Sequence, residues 1–166
     1  MTHVDVLVDQ HSAKLYRFCR GLTYAKEDAE DLFQETWIVA LKKPEKLQQA
    51  QNTQGFLCKV AVNLWKSKQR KYARRKRIAA IEPLGLELGS GENIEAHFLQ
   101  EEARTQMQAL VAALPDRLRV PTLLYYTLEM DVAAIADTLQ ISPGTVKSRL
   151  FYARKEVKKG WEGYAG

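Results

Sequence analysis

Apolar residues at Val4, Leu7, Val8, Leu15, Phe18, Cys19 and Leu22 recur three and four positions apart, the spacing of one helix face, and the period ends near Gly21. A second period, Ala29, Leu32, Phe33, Thr36, Trp37 and Ala40, predicts a helix over 26–42 that Pro44 stops. Residues 43–54 are polar and rich in Gln and Asn, the composition of a loop. Thr53 is placed to cap a third helix with Phe56 or Leu57, Val60, Ala61, Leu64 and Trp65 inside, running on into the basic residues 66–77. Over 81–94, Pro83, Gly85, Gly89, Ser90 and Gly91 interrupt every period, which reads as a linker.

Helical spacing resumes with Leu99, Ala103, Met107, Leu110, Val111 and Leu114, and Pro115-Asp116 opens a further helix. Pro121 within that helix removes a hydrogen bond, so a kink or a delayed start is expected there. Two shorter helices follow, 131–139 and 142–159, joined only by Gln140-Ile141, with Asp131 and Ser142 as N-caps and Pro143 at a first helical position. Ile135, Ala136, Leu139, Ile141, Val146 and Leu150 are spaced to pack between them, the pattern of a helix-turn-helix. The expected fold is all-α: two small helical domains, 1–79 and 97–162, joined by a flexible linker over 80–96.

The chain has 166 residues, of which 46% are apolar, enough to bury a core and to exclude wholesale disorder. Its longest apolar runs, such as 60–62, fall far short of the roughly 20 residues that span a bilayer. Residues 1–6 lack the features of a signal peptide, so a cytoplasmic location is expected. Cys19 and Cys58 have no His or second Cys at ligand spacing and read as small buried hydrophobes. No catalytic constellation, metal site, cofactor or small-molecule substrate is expected.

The 25 Lys and Arg outnumber the 20 Asp and Glu, and the excess is clustered. From 47 to 81 there is no acidic residue, while Lys59, Lys66, Lys68, Arg70, Lys71, Arg74, Arg75, Lys76 and Arg77 accumulate with Trp65 and Tyr72 between them. Cations neutralise phosphates and flat rings stack on unpaired bases, so this run predicts nucleic-acid contact. The second helix instead opens with Glu27, Asp28, Glu30, Asp31 and Glu35, charges that its dipole favours. Asp28, Asp31 and Glu35 have the spacing of a divalent-metal site but lack completing ligands. Beside Gln34 and Trp37, the acidic stripe of Asp28, Asp31 and Glu35 better suits a basic protein partner, with Trp37 as anchor. The last helix presents Thr145, Lys147, Ser148, Arg149, Tyr152 and Arg154, residue types that read base edges and phosphates in a major groove.

With these residues in view, the chain resembles the extracytoplasmic-function (ECF) subfamily of the bacterial sigma-70 RNA polymerase sigma factors over nearly its whole length. The string from Ala29 to Trp37, AEDLFQETW, resembles the family's region 2.1 to 2.2, which grips the clamp helices of the polymerase β′ subunit. The string FLCKVAVNL from Phe56 to Leu64, with the basic run behind it, resembles regions 2.3 and 2.4, which melt and read the minus-ten promoter element. Leu114-Pro115-Asp116, Ile135-Ala136 and the string GTVKSRL from Gly144 to Leu150 resemble region 4, which reads the minus-35 element. The resemblance implies that Asn63 and the loop 52–54 help hold a flipped base while Lys66, Lys68 and Arg70 neutralise phosphates. It also implies core polymerase, through its β′ clamp helices and β flap, promoter DNA and an anti-sigma factor as partners. Ser67, Ala134 and Gln140 depart from the family's usual Asp, Glu and Gly. Gln140 matters most physically, because a non-Gly residue at positive φ costs about 1 kcal/mol. Two other readings stay open: a stand-alone helix-turn-helix regulator, and a magnesium-dependent nuclease built on Asp28, Asp31 and Glu35.

Overall fold

The computed structural model describes residues 2–78 and 94–165, and no strand occurs among them. The first helical unit comprises α1 (His3–Leu22), α2 (Lys26–Leu41), α3 (Pro44–Gln49), α4 (Thr53–Ser67) and α5 (Gln69–Ile78). Thr2 starts α1 with a reciprocal cap: its hydroxyl accepts from the Asp5 amide at 3.2 Å, and its amide donates to the Asp5 carboxylate at 3.1 Å. The faces carrying Leu15, Phe18 and Leu22 of α1, Leu32 and Ala40 of α2, and Leu57 and Ala61 of α4 close on one another without exposed area beyond 1%.

Three local expectations are corrected. Residues 43–54 are not a plain loop, because Pro44 starts the short α3, where a missing N–H is harmless, and Leu47 anchors that helix in the core. The cap of α4 is Asn52 rather than Thr53, its side-chain oxygen accepting from the Gly55 amide at 2.9 Å. The basic helix is not continuous: α4 ends at Ser67, and Lys68 leaves helical geometry before α5 begins.

The second unit comprises α6 (Ile94–Ala112), α7 (Asp116–Thr122), a π turn (Leu123–Thr127), α8 (Val132–Leu139) and α9 (Pro143–Ala165). Since α6 starts at Ile94, the last three positions expected to belong to the linker are helical; the remainder, up to 93, lies outside the described residues. Pro121 sits inside α7 and is buried. It produces no break; the chain relaxes into the π turn, whose wider bond runs from the Leu128 amide to the Leu123 carbonyl at 3.2 Å. Asp131 caps α8 by accepting from the Ala134 amide at 2.8 Å. Gln140 then turns the chain at φ 57°, the left-handed geometry expected of glycine, with its side-chain amide donating to the Asp137 carbonyl at 2.6 Å. Ile135, Val146 and Leu150 hold α8 against α9.

The two units are not simply strung on a tether: α1 packs on the π turn and α4 on α8, so that one apolar core runs through both. Close approach depends on Gly21, where a Cβ would lie 2.6 Å from a Leu123 methyl.

Candidate nucleic-acid interface

The N-terminus of α9 is built by Ser142, whose hydroxyl accepts from the Thr145 amide at 3.1 Å and lies 2.9 Å from the Thr145 hydroxyl. Val146, Leu150 and Ala153 are buried, which turns the rest of the helix outward. Thr145, Ser148, Arg149 and Tyr152 line an open groove of about 580 Å³ together with Ser142, Gly144 and Arg117. Arg117, on α7, carries little signal in the sequence; only its place two residues past Pro115, at the head of a helix, hints at a role. Lys147 is exposed but outside that groove. Arg154 is not with the others: its guanidinium donates to the Tyr126 hydroxyl at 3.2 Å, on a different face of α9. That face borders an apolar groove of about 470 Å³ between α6, the π turn and α9, lined by Met107, Val111, Leu123, Val157 and Trp161.

In the first unit, Asn63 and Lys66 on α4 and Arg70 and Arg74 on α5 are exposed, each pair three or four positions apart on its own helix with the break at Lys68 between them. Lys71 is exposed beside Arg70, 3.9 Å from Asp31; Arg75 lies on α5, its side chain outside the described residues. The expectation that Trp65 and Tyr72 offer stacking faces is corrected, since they are 5% and 3% exposed and belong to the core. Lys68 is corrected too. Its ammonium binds Asp31 at 2.9 Å and also pairs with Glu35, so it is satisfied within the fold. Burial works against its charge, but the bonds to Glu35 and Asp31 more than offset this and hold its pKa above the usual lysine value. The Tyr72 phenol is pushed up first by burial and then by the carboxylates of Asp31, Asp28 and Glu35.

The acidic face of α2 is therefore partly spent internally. Asp28 is 1% exposed, Trp37 faces the core rather than a partner, and Asp31 and Glu35 are tied to Lys68. The three carboxylates are not presented together to a metal. What α2 shows to solvent is Lys26, Glu27, Glu30, Gln34, Ile38 and Leu41; all but Lys26, which pairs with Glu30 at 4.0 Å, form one stripe at helical spacing with an apolar end. Ile38 and Leu41 were missed; as apolar residues off the buried period, they are the kind of signal that marks a docking face.

Residues 7–75 match the model of Sigma-70 region 2, and residues 104–157 match that of Sigma-70, region 4. The chain belongs to the ECF subfamily of sigma-70 factors. SigL of Mycobacterium tuberculosis, an ECF RNA polymerase sigma factor, is 31% identical across 92% of this chain and 85% of its own length. SigE of Mycolicibacterium smegmatis is 28% identical over 93% of this sigma factor, which spans only 60% of the SigE length. Among solved structures, the sigma factor RpoE of Bartonella quintana, crystallised with the anti-sigma factor NepR, superposes with a TM-score of 0.76 at 19% identity over 98% of both chains, a likeness of fold. The grooves and the stripe above thus sit on a sigma factor whose two family regions coincide with the two helical units. No helix among the described residues is long and apolar enough to cross a membrane.

Proposed function

We propose that this sigma factor is a dissociable initiation subunit that joins core RNA polymerase and directs it to promoters with a minus-ten and a minus-35 element, acting in the cytoplasm and doing no chemistry of its own. The observation that carries this is the presence, in one chain and in family order, of a region 2 and a region 4 that each turn a cationic face to solvent. Asn63, Lys66, Arg70 and Arg74 follow the opened minus-ten strand, and Arg117, Thr145, Ser148 and Arg149 enter the minus-35 major groove. The stripe from Glu27 to Leu41 docks on the β′ clamp helices, its apolar end taking the role first given to Trp37. The apolar groove beside Trp161 takes the β flap. An anti-sigma protein, as in the RpoE complex, is the expected antagonist.

A run-off transcription assay with purified core polymerase and a promoter library tests this reading: defined transcripts that need the added chain are expected. The stand-alone regulator predicts instead tight, specific DNA binding by the chain without polymerase, read by gel shift with and without core.

A further inference from the structure

The residues assigned to the minus-ten strand are divided between two helices, so their joint use depends on the angle at which those helices meet. Asn63 and Lys66 stand on α4, Arg70 and Arg74 on α5, and a single residue, Lys68, joins the two. Its backbone serves both helices. The Lys68 amide donates to the Leu64 and Trp65 carbonyls at 3.1 Å, closing α4, and its carbonyl accepts from the Tyr72 amide at 3.1 Å, opening α5. At φ −102° and ψ 9° it leaves helical geometry, and the neighbouring Ser67 hydroxyl donates back to the Asn63 carbonyl at 3.1 Å. Such back-bonding bends a helix without fixing the size of the bend.

What fixes it is the Lys68 side chain. Its ammonium donates to the Asp31 carboxylate at 2.9 Å and pairs with Glu35, two carboxylates four positions apart and hence on one face of α2. An elbow held at two points from a third helix cannot swing without breaking charge-assisted bonds. The other ties of α5 are weaker. Lys71 comes only to 3.9 Å from Asp31 and is half-exposed, and the buried Tyr72 phenol has no hydrogen-bond partner, so that residue seats α5 by its ring alone.

We infer that Lys68 is a positioning residue for minus-ten recognition: pinned to Asp31 and Glu35, it holds the elbow between α4 and α5 at the angle that aims Arg70 and Arg74 along the strand leaving Asn63 and Lys66. This inference rests on the initiation role proposed above. Without the pin the same phosphate contacts form, but the elbow must be ordered at the moment of binding rather than beforehand. Fixing one residue's backbone at that moment weakens binding about 5- to 30-fold, at every salt concentration and with no change of salt slope.

Fluorescence anisotropy of labelled promoter DNA with the reconstituted holoenzyme, read well below the melting midpoint, is expected to show that loss for Lys68→Ala. Lys68→Arg is expected to recover the affinity, because a guanidinium fork meets both carboxylates. Asp5→Ala removes the distant cap of α1 and costs a similar amount of stability, yet is expected to bind promoter as the unmodified protein does. In the free protein, the Tyr72 amide, which bonds to the Lys68 carbonyl, should exchange its hydrogen faster in Lys68→Ala than in Asp5→Ala. Unchanged affinity or unchanged Tyr72 exchange in Lys68→Ala overturns the positioning role, and so does an equal loss in Asp5→Ala. A changed salt slope also overturns it, by placing Lys68 itself on a phosphate. A holoenzyme that binds no promoter, while the Tyr72 amide loosens only in Lys68→Ala, counts instead against the initiation role and leaves Lys68 standing as the pin of the elbow.

Discussion

Lys66 and Lys68 are two residues apart, both in the basic run, and the structure gives them opposite fates: Lys66 is exposed, while Lys68 is held by Asp31 and Glu35. Each phosphate contact on a single strand contributes about 0.7 to the slope of log affinity against log salt. Removing one contact therefore reduces the loss of affinity between 50 and 200 mM salt by about 2.6-fold. Lys66→Ala should show this change in fluorescence anisotropy of labelled promoter DNA bound by the reconstituted holoenzyme. Lys68→Ala should leave the slope where it was and instead lower the melting midpoint. Losing its two half-exposed ion pairs costs on the order of 1 kcal/mol, or about 2–4 °C. Equal slope changes in the two variants would refute the assignment of Lys68 to the fold and return it to the phosphate track.

Arg149→Ala should weaken minus-35-dependent initiation by about 1–3 kcal/mol in competition with mismatched promoters, whereas intact discrimination would remove Arg149 from the groove. Gln140→Gly relieves the φ 57° strain and should raise the midpoint by about 1–3 °C in a thermal melt; an unchanged or lower value means the bond to Asp137 outweighs the strain. Burial pushes both thiols up, Cys58 to about 12, so neither should react with a thiol reagent at pH 8 until the protein unfolds. Because the fold keeps them protonated, their contribution to stability is whole below about pH 9 and is lost as pH rises from there through about 12, visible as a falling denaturation midpoint on the alkaline side.

The apolar periods of α1, α2 and α4 and the capped pair α8 and α9 were legible in the sequence because each buried face repeats locally. The inter-unit core was not. Its determinants are single residues that local reading assigns elsewhere: Gly21 looks like a helix end, and Arg119, one turn into a helix beside Arg117, looks like another solvated cation. Contacts far along the chain, to the Leu22 carbonyl 97 residues away and to Tyr24 and Trp65, make Arg119 a buried residue.

Trp65 illustrates how two legible signals compete. Its basic neighbours suggested a ring offered to unpaired bases, but Cys58, Ala61 and Val62 precede it at the spacing of the inner face. The magnitudes decide between them. Burying a tryptophan removes about 150–250 Å² from water, worth roughly 4–6 kcal/mol, whereas stacking one base on it returns about 1–3 kcal/mol. Burial stabilises every folded molecule and stacking only those with DNA bound, so the period prevails and Trp65 goes inside. The same reasoning takes in Tyr72, also buried although it stands on α5 beyond the break at Lys68, and leaves recognition to the exposed Asn63, Lys66, Arg70 and Arg74, which lose nothing by staying in water.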